Sequence, residues 1–378
     1  MAKRRGNHEG SIYRRKDGRW VGAIMNTDGR RKAFYGETRA EAVRLLREAQ
    51  TAIDHGLPIT GGQQQTGAFL DVWLTDSATR LVRPRTLQGY EQIIRHHLKP
   101  ALGRVPLVKL TPQHVERMMN DAIKAGRSPQ SVCHDRAVLR RALNVAMRWG
   151  LVGRNVASLT DPPRVPEHEQ RALTATDARR ILTAVRGCRL EGLFTVALAA
   201  GLRQSEALGL RWSDVDLDAG RLSVRRVLQR YGGAFHLDEP KTKRSRRTLK
   251  LPAPVITALR EHRVRQLEER MLAGGAWKGD TWGDLVFSSE AGGPLHGTTV
   301  GKQFRDIVST AGYPDLKYHH LRHGAASLMA AQGVPARLAM ETLGHSQIST
   351  TMQIYTHVAP ESLDLVAEKM EQAIWGVS

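Results

Sequence analysis

The chain is 378 residues long and carries 57 Lys and Arg residues against 37 Asp and Glu, for a formal net charge of +20. Its hydrophobic fraction of 41% is enough for packed cores, so the composition excludes a disordered polycation. Such an excess of positive charge indicates a polyanionic partner, and nucleic acid is the commonest one.

Composition and termini also narrow the cellular setting. No apolar run is long enough to cross a bilayer, and no apolar segment follows the basic N-terminus MAKRRGNHEGS, so we expect no membrane anchor or secretory signal. Neither Cys133 nor Cys188 lies in a CxxC motif, which favours free thiols over a disulfide or a zinc site. We therefore expect a cytoplasmic protein, associated with the nucleoid when it binds DNA.

Residues 1–56 are predicted to form a small module of three strands and one helix. GSIYRRKDGRWVGAIM alternates apolar and polar residues around Asp17-Gly18, which predicts a hairpin, and a second turn at Asp28-Gly29 leads into the strand RRKAFYG. TRAEAVRLLREAQTAI is typical of an amphipathic helix, with Thr38 and Glu41 predicted to form a capping box.

Basic residues decorate the predicted strands of this module. A three-stranded ribbon with arginines is suited to a DNA groove, whereas a solvated basic surface is the simpler alternative. The predicted DNA contacts are Arg14, Arg15, Arg19 and Arg31.

After the Gly- and Gln-rich linker DHGLPITGGQQQTG, residues 66–160 show helical periodicity throughout. Four helices are predicted, and Thr111 and Ser128 each precede a proline that suits a first helical position. Some of the arginines in this region must lie on solvated helix faces. The predicted DNA contacts of the bundle are Arg85, Arg136 and Arg140.

The proline-rich stretch DPPRVPEHEQ ends the periodicity, and a third unit is predicted over residues 171–378. This unit is mostly helical. It contains one predicted strand pair, RLSVRRVLQR and HLDEPKTKRSRRTLKLP, on either side of the hairpin loop YGGAF.

The motif GLRQSE places Arg203 at a junction between two predicted helices, just after Gly201. A side chain there can be held rigidly and still face a groove, and Glu206 could brace it. The alternative is that Arg203 only satisfies the carbonyls at the end of the first helix.

The motif KYHHLRHGAASLMAAQG places His319 and Arg322 on one face of a predicted helix. His319 and His323 have the i, i+4 spacing of a metal site. However, the glutamate of an HExxH motif is absent and the sequence shows no cluster that would add a third ligand, so a metal site is disfavoured.

The motif LGHSQISTTMQIYTHV places His345 after a helix ended by Gly344 and Tyr355 near the end of a new helix capped by Ser346. A tyrosine hydroxyl is a poor nucleophile because its pKa is about 10. Arginine forks that grip phosphate oxygens, with histidines that carry protons, are what a phosphodiester target would require. Taken singly, Tyr355 could be a half-buried core residue and His345 a turn residue.

In this order, the three motifs resemble those of the tyrosine recombinases, the phage integrase family. The resemblance implies that Arg203 and Arg322 clamp the phosphate, that His319 and His345 assist proton transfer and hold it, and that Tyr355 is the nucleophile. The hairpin lysine of the family, which protonates the leaving 5′ oxygen, matches Lys241, with Lys243 as a rival. The family's threonine and aromatic residue after the second arginine motif are replaced by Gly324 and Ala325, a departure that concerns packing.

The resemblance extends to the layout of the chain and gives the expected fold class: multidomain and mainly α. The expected domains are a three-stranded β plus helix arm-binding module (1–56), a helical core-type DNA-binding domain (66–160) and an α+β catalytic domain (171–378). Expected partners are double-stranded DNA with core and arm attachment sites and three further copies of the chain in a homotetramer. An excisionase and a DNA-bending protein would be accessory factors, and no cofactor or metal is expected.

The implied reaction is site-specific integration and excision of a mobile element through a 3′-phosphotyrosine. A type IB topoisomerase-like nicking and closing enzyme would share the chemistry without needing two DNA sites. A non-catalytic DNA-binding regulator would keep the fold alone. The C-terminal stripe of Leu363, Val366, Met370 and Ile374 is expected to pack within the chain or to dock onto a neighbouring subunit.

Overall fold

The computed structural model describes residues 10–25, 31–54, 64–166, 172–345, 347–349, 352, 355, 370–372, 374 and 376. The chain divides into two units, residues 1–167 and 168–378. The division falls in the proline-rich stretch where the sequence pattern breaks. Among the described helices, none has both the length and the apolar character needed to cross a membrane.

The first unit begins with an antiparallel sheet of three strands and a helix. The elements are β1 (Ser11–Arg14), β2 (Trp20–Met25), β3 (Arg31–Gly36) and α1 (Arg39–Asp54). The strands pair in the order β1-β2-β3, with Tyr13 opposite Val21 and Val21 opposite Tyr35. The predicted hairpin at Asp17-Gly18 and the third strand are confirmed, whereas the predicted turn at Asp28-Gly29 lies outside the described residues.

Helix α1 lies directly on the sheet because two strand positions there carry no side chain. A Cβ atom on Gly22 would lie 2.9 Å from the Ala42 carbonyl oxygen, and one on Gly36 would lie 2.9 Å from the Ala42 nitrogen. Thr38 caps the helix as predicted, because its hydroxyl accepts a hydrogen bond from the Glu41 amide at 3.2 Å. The Glu41 carboxylate differs from the prediction: it accepts from the amide of Glu37 and not from that of Thr38.

Four helical stretches follow, as predicted. The first, α2 (Thr66–Val72), continues through a π-helical stretch (Trp73–Ala78) into Thr79–Leu81, and α3 (Pro84–Ile93) continues through another (Ile94–Leu98) into Lys99–Leu102. The others are α4 (Pro112–Lys124) and α5 (Pro129–Arg148). Thr111 and Ser128 cap α4 and α5 through their hydroxyl groups. Large apolar side chains such as Phe69, Trp73 and Leu139 form the core between these helices.

The structure contradicts one predicted DNA contact in this bundle. Arg136 is only 9% exposed, and its guanidinium donates to the hydroxyl of Thr160 at 3.0 Å and to the Thr160 carbonyl. Since these bonds hold the segment after α5 against the bundle, Arg136 is a structural residue. Arg85 and Arg140 are exposed and stay candidates for DNA contact.

The second unit is α+β. Its helices are α6 (Ala175–Val185), α7 (Glu191–Ala200), α8 (Gln204–Leu208), α9 (Ala253–Ala273), α10 (Gly279–Trp282), α11 (Gly297–Thr310), α12 (Tyr318–Ala331) and α13 (Ala336–Leu343). Its strands are β4 (Val215–Asp216), β5 (Arg221–Val224), β6 (Val227–Tyr231), β7 (Ala234–Asp238) and β8 (Arg247–Lys250).

The prediction of a single strand pair in this unit was too simple. Each predicted strand divides into two, and two small sheets result: β4-β5-β8, and the hairpin β6-β7 that turns at Gly232 and Gly233. The interruption at Arg225-Arg226 lets β5 pair with β8 while β6 pairs with β7. The sequence alone gave no sign of this break because the residues around it are equally suited to a strand.

The core of the second unit centres on α7, which is buried on nearly all sides because its sequence EGLFTVALAA is apolar throughout. Gly201 ends this helix in the left-handed region, at a φ of 62°. A Cβ at Gly201 would collide with Leu343 at the end of α13. The close approach brings the end of α7 against the end of α13, and these two ends carry most of the candidate site.

Candidate active site

The site is built around a buried carboxylate, that of Glu206 in α8. Its side chain is 1% exposed, and three guanidinium groups surround it. Arg203 lies at 2.6 Å, Arg247 at 3.0 Å and Arg322 at 3.9 Å. Burial by itself would raise the pKa of Glu206, but the charges and hydrogen bonds of Arg247 and Arg203 hold it below its ordinary value. Three cations around one anion leave this cluster with a net positive charge.

Arg203 occupies the predicted junction between α7 and α8. One of its terminal nitrogens donates to Glu206 at 2.6 Å, and the other donates to the carbonyl of Gly344 at 3.0 Å. The predicted bracing by Glu206 is therefore confirmed. The side chain is 37% exposed, so the guanidinium is held rigidly while one side of it faces solvent.

Arg322 projects from α12 into the same cluster and is 4% exposed. Its Nη1 atom donates to the carbonyl of Gly201 at 2.7 Å, while its Nη2 atom is buried and has no hydrogen-bond partner among the residues that the structure describes. Burial and the neighbouring charge of Arg203 lower the pKa of Arg322 to about 9, which leaves it protonated at neutral pH. A buried cation with an unsatisfied donor is costly, and an arriving anionic oxygen would satisfy it.

Arg247, at the start of β8, is the member of the cluster that sequence reasoning missed. Its side chain is 7% exposed and donates to Glu206 at 3.0 Å and to the carbonyl of Thr342 at 2.6 Å. The signal that could have found it is strand alternation: Arg247 and Leu249 share one face, and Leu249 is buried. The neighbouring Arg246, on the other face, is exposed.

Two of the predicted histidines lie beside the arginines. His345 follows Gly344 and is 9% exposed, and burial together with Arg322 and Arg203 lowers its pKa to about 4. His319 is exposed at the start of α12, and its pKa is also lowered, by desolvation and by Arg322. Both rings are therefore neutral at pH 7, so either could accept a proton. The ring of His323 lies edge-on to that of His319, with centroids 4.6 Å apart.

Lys241 lies in the connection between β7 and β8, where its side chain is exposed. The side chain of its rival, Lys243, lies outside the described residues. Lys241 is thus carried on the connection that leads into Arg247, and its exposed side chain lies outside the buried cluster.

The hydroxyl of Tyr355 is hydrogen-bonded to a backbone carbonyl. It donates to the carbonyl of Val334, in the turn before α13, at 2.9 Å. Burial raises the pKa of this hydroxyl, whereas a guanidinium close to it would lower the pKa. The structure therefore brings Arg203, Arg322 and His345 together but leaves the phenol on a backbone carbonyl at the opposite end of α13 from His345. The predicted cap at Ser346 lies outside the described residues.

The departure from the family pattern at Gly324 has a packing cause. A Cβ at this position would lie 2.5 Å from the Cδ1 atom of Leu173, so the Leu173 side chain fills the space. Ala325 is buried with Ala326 and Leu343 at the contact between α12 and α13. Neither residue contributes a group to the cluster.

Arg15, Arg19 and Arg31 of the N-terminal sheet lie beside tyrosine rings on its outer face, away from α1. The guanidinium carbons of Arg15 and Arg19 each lie 5.9 Å from the centre of the Tyr35 ring, and that of Arg31 lies 5.9 Å from the Tyr13 ring. Both tyrosines are about half exposed, at 44% and 51%. Arg14 is exposed as well and donates to the Gly18 carbonyl within the hairpin.

Comparison with known proteins adds independent findings. Residues 171–362 match the Phage integrase family, and residues 67–123 match the N-terminal SAM-like domain of phage integrases. A tyrosine recombinase XerC-like protein from Caldanaerobacter subterraneus subsp. tengcongensis is 31% identical over 350 residues, covering 88% of this chain and 89% of that protein.

Two solved structures have a similar fold. The Tn1549 transposon integrase, in complex with a circular intermediate DNA, matches with a TM-score of 0.69 at 21% identity, over 80% of this chain and 99% of that one. A lambda integrase tetramer bound to a Holliday junction matches with a TM-score of 0.56 at 20% identity, over 93% of this chain and 96% of that one. Since one family profile covers half of the chain and a relative at 31% identity covers most of it, the chain belongs to the phage integrase family of tyrosine recombinases, enzymes that break and rejoin DNA at specific sites.

Proposed function

We propose that this recombinase integrates and excises a mobile element, and that Tyr355 attacks a scissile phosphate held by Arg203 and Arg322. The observation that carries the proposal is the buried Nη2 atom of Arg322, which has no partner within the described part of the chain and belongs to a cluster of three guanidiniums and one carboxylate. The excess positive charge and the open donor both require an anion. A phosphodiester supplies two non-bridging oxygens for them.

The cluster is suited to stabilising a transition state. Glu206 and the carbonyls of Gly201 and Gly344 fix the guanidiniums before the substrate arrives, so they need no reorganisation as charge grows on the phosphate oxygens. Each well-placed donor of this kind is worth about 3–4 kcal/mol of barrier. Such an arrangement acts on charge in the transition state and does not depend on a metal.

In the proposed cleavage step, the Tyr355 oxygen forms a bond to phosphorus and the bond from phosphorus to the 5′ oxygen breaks. A 3′-phosphotyrosine and a free 5′-hydroxyl result. The phenol proton passes to a neutral histidine, His319 or His345, and the 5′ oxygen takes a proton from Lys241. Attack by the 5′-hydroxyl of another strand reverses the step, so the bond energy is conserved and no nucleotide cofactor is consumed.

The position of Tyr355 adds a requirement to this step. Its hydroxyl must leave the Val334 carbonyl before it can reach a phosphate beside Arg203. One neutral hydrogen bond is worth about 1 kcal/mol, so its loss is a small part of any activation barrier. We infer that DNA binding offsets the loss of this hydrogen bond, because the phosphate accepts a hydrogen bond from Arg322 and attracts the charged side chains of the cluster.

DNA is the proposed partner of the first unit as well. The outer face of β1-β2-β3, with Tyr13, Tyr35 and the arginines above them, is suited to the phosphates and bases of an arm site. Arg85 and Arg140 are proposed to contact core-site phosphates. A homotetramer on DNA is proposed from the lambda integrase tetramer, and an excisionase and a bending protein are proposed accessory factors. We also propose that the enzyme acts in the cytoplasm, at the nucleoid, and that 1–56, 66–160 and 171–378 are its functional domains.

Trapping of DNA on the enzyme tests the proposal. The repeated core sequence in the DNA that flanks the gene, nicked near the scissile phosphate, serves as the substrate. The wild-type chain is expected to become covalently attached to it, and Tyr355→Phe is expected to bind it without attachment. Denaturing electrophoresis measures the covalent product. Attachment by the phenylalanine variant would show that another residue is the nucleophile.

The same purified chain can be used to distinguish the integrase from a topoisomerase-like enzyme and from a DNA-binding regulator. A topoisomerase-like enzyme would relax a supercoiled plasmid that lacks the core sequence, whereas the proposed integrase would require that sequence. A DNA-binding regulator would bind the core site and trap nothing. Recombination between two plasmids that carry the two attachment sites completes the test.

A further inference from the structure

We propose that Arg247 is a positioning residue for DNA cleavage, which holds the end of α13, the connection between β7 and β8, and Glu206 in one fixed arrangement. This inference rests on the proposed function, since it concerns the same site. Arg247 is absent from the three sequence motifs of the family, and its hydrogen bonds go to Glu206 and to backbone carbonyls.

The contacts of Arg247 join three separate parts of the chain. Its Nη2 atom donates to Glu206 at 3.0 Å, its Nε atom to the carbonyl of Thr342 at 2.6 Å, and its Nη1 atom to the carbonyl of Ser245 at 3.1 Å. Glu206 holds Arg203, Thr342 is three residues before His345, and Ser245 belongs to the connection that carries Lys241. One guanidinium therefore links the supports of three residues that are proposed to act in cleavage: Arg203, His345 and Lys241.

The Arg247 guanidinium packs tightly against the backbone at Gly344. A Cβ at Gly344 would lie 2.8 Å from the Nη1 atom of Arg247, so only a residue without a side chain leaves room for the guanidinium there. Gly344 has a φ of 66°, a second reason for glycine at that position. The carbonyl of Gly344 also receives Arg203, so the end of α13 is held by two guanidiniums.

The charge of Arg247 is needed as well as its geometry. Glu206 is buried, and Arg203 is paired with one of its oxygens while Arg247 is paired with the other. Without Arg247, that second carboxylate oxygen would keep the 3.0 Å hydrogen bond from the Arg203 backbone amide and, as its remaining side-chain partner, Arg322 at 3.9 Å. We expect Glu206 then to turn toward Arg322 and to release Arg203 from its present orientation. A displacement of about 1 Å at a reacting group costs on the order of 10²-fold in rate.

The test compares the rate of cleavage with the affinity for DNA in Arg247→Met. Single-turnover cleavage of nicked core-site DNA, at saturating enzyme, is expected to slow on the order of 10²-fold. The dissociation constant for the same DNA, measured by a mobility shift, is expected to change by less than about threefold, since the Arg247 side chain is buried. A wild-type rate, or a loss of affinity as large as the loss of rate, would overturn the proposal.

Arg189→Met is the matched control. Arg189 also bonds a carboxylate, that of Glu269, and a backbone carbonyl, that of Ser288, but it has no contact with Glu206 or α13 among its hydrogen bonds. This variant is expected to lower the thermal midpoint and to leave the cleavage rate within about threefold of wild type. A rate loss equal to that of Arg247→Met at the same midpoint would show that general destabilisation explains both, against the proposal.

A double-mutant cycle with Glu206→Gln tests the route of action. If Arg247 acts through Glu206, the two rate losses are coupled, and the double variant is faster than the product of the single effects predicts. Independent effects would contradict the proposed route. Arg247→Lys repeats the test should Arg247→Met fold poorly, because it keeps a buried charge near Glu206 but cannot reach three acceptors at once, and it is expected to recover only part of the rate.

These outcomes are separate from those of the proposed function. If the wild-type chain forms no covalent complex, the proposed reaction itself is wrong. If it forms the complex and Arg247→Met cleaves at the same rate, only the role of Arg247 is wrong.

Discussion

Arginine serves two purposes in this protein, and the second unit and the N-terminal sheet show the contrast. In the second unit, Arg247 and Arg322 are almost fully buried, and carbonyls and a carboxylate fix them in place. On the sheet, Arg15, Arg19 and Arg31 are exposed and lie near tyrosine rings. The buried arginines have lost their freedom before any ligand arrives, whereas the exposed ones can adapt to a DNA surface.

This difference in burial indicates which arginines affect the rate of DNA cleavage and which affect the affinity for DNA. A preorganised guanidinium in a desolvated site can stabilise charge that develops in a transition state. An exposed guanidinium gives mainly a salt-dependent attraction to phosphate, which contributes to binding. The comparison therefore predicts opposite consequences for substitutions in the two regions.

The largest effect is expected for Arg203→Ala. This change removes a fixed phosphate donor, so the single-turnover cleavage rate should fall by about 10²- to 10³-fold, or about 2.7–4 kcal/mol of barrier. Affinity for the core site should stay close to that of wild type, because most phosphate contacts remain. Quench-flow cleavage and mobility-shift titration measure the two quantities. Loss of binding with an intact rate would show that Arg203 acts on affinity, as the exposed arginines do, and not on the transition state.

A smaller effect is expected from pH on the free energy of unfolding, through the histidines beside the buried arginines of the second unit. The pKa values of His345 and His323 are lowered to about 4 in the folded chain, against an ordinary value of 6.5. Between these values the unfolded chain binds more protons than the folded one, so the free energy of unfolding rises with pH across this window and falls on acidification. The urea midpoint should therefore be lower at pH 5 than at pH 7.

Replacement of His345 by Asn should flatten this dependence. A variant of the exposed His134 should leave the dependence as in wild type, because the structure gives that residue no burial of the same kind. An unchanged slope in the His345 variant would mean that its ring is not held neutral by the arginines.

The smallest effect is expected for Arg31→Ala on the sheet. Affinity for arm-site DNA should fall several-fold, and the slope of log affinity against log salt should become less steep by about 0.9, as for one lost phosphate contact. Core-site cleavage should not change. Arg44→Ala is the matched control, because Arg44 is an exposed arginine paired with Glu48 on α1, the element that covers the opposite face of the sheet. Equal salt slopes for both variants would show that the outer face of the sheet is not the DNA surface.

Much of the local structure could be predicted from the sequence because it depends on neighbours in the chain. The hairpin at Asp17-Gly18, the caps at Thr38, Thr111 and Ser128, and the end of α7 at Gly201 are each set by a few adjacent residues. The division of the strand pair into two sheets was not predicted, since the pairing partner of a strand is chosen by contacts with residues far away in the chain.

The candidate site was predicted in part for the same reason. Three short motifs identified Arg203, Arg322 and His345, and the spacing of Glu206 indicated its bracing role. Arg247 was overlooked and Arg136 was predicted to contact DNA, because an arginine can be buried or exposed and only packing decides between the two. Their neighbours in sequence, Arg246 and Arg140, are exposed.

By itself the sequence determined the charge of the protein, its helices and turns, the order of its motifs and, through these, its family. Only the tertiary structure decided that three guanidiniums share one carboxylate and that one of them keeps a donor without a partner in the described ranges. It also decided that the phenol donates to the Val334 carbonyl. The physical reason is the separation along the chain of the residues that interact. Turns, caps and helical faces arise from residues a few positions apart, whereas a buried charge is tolerable only where groups more than a hundred residues apart meet to satisfy it.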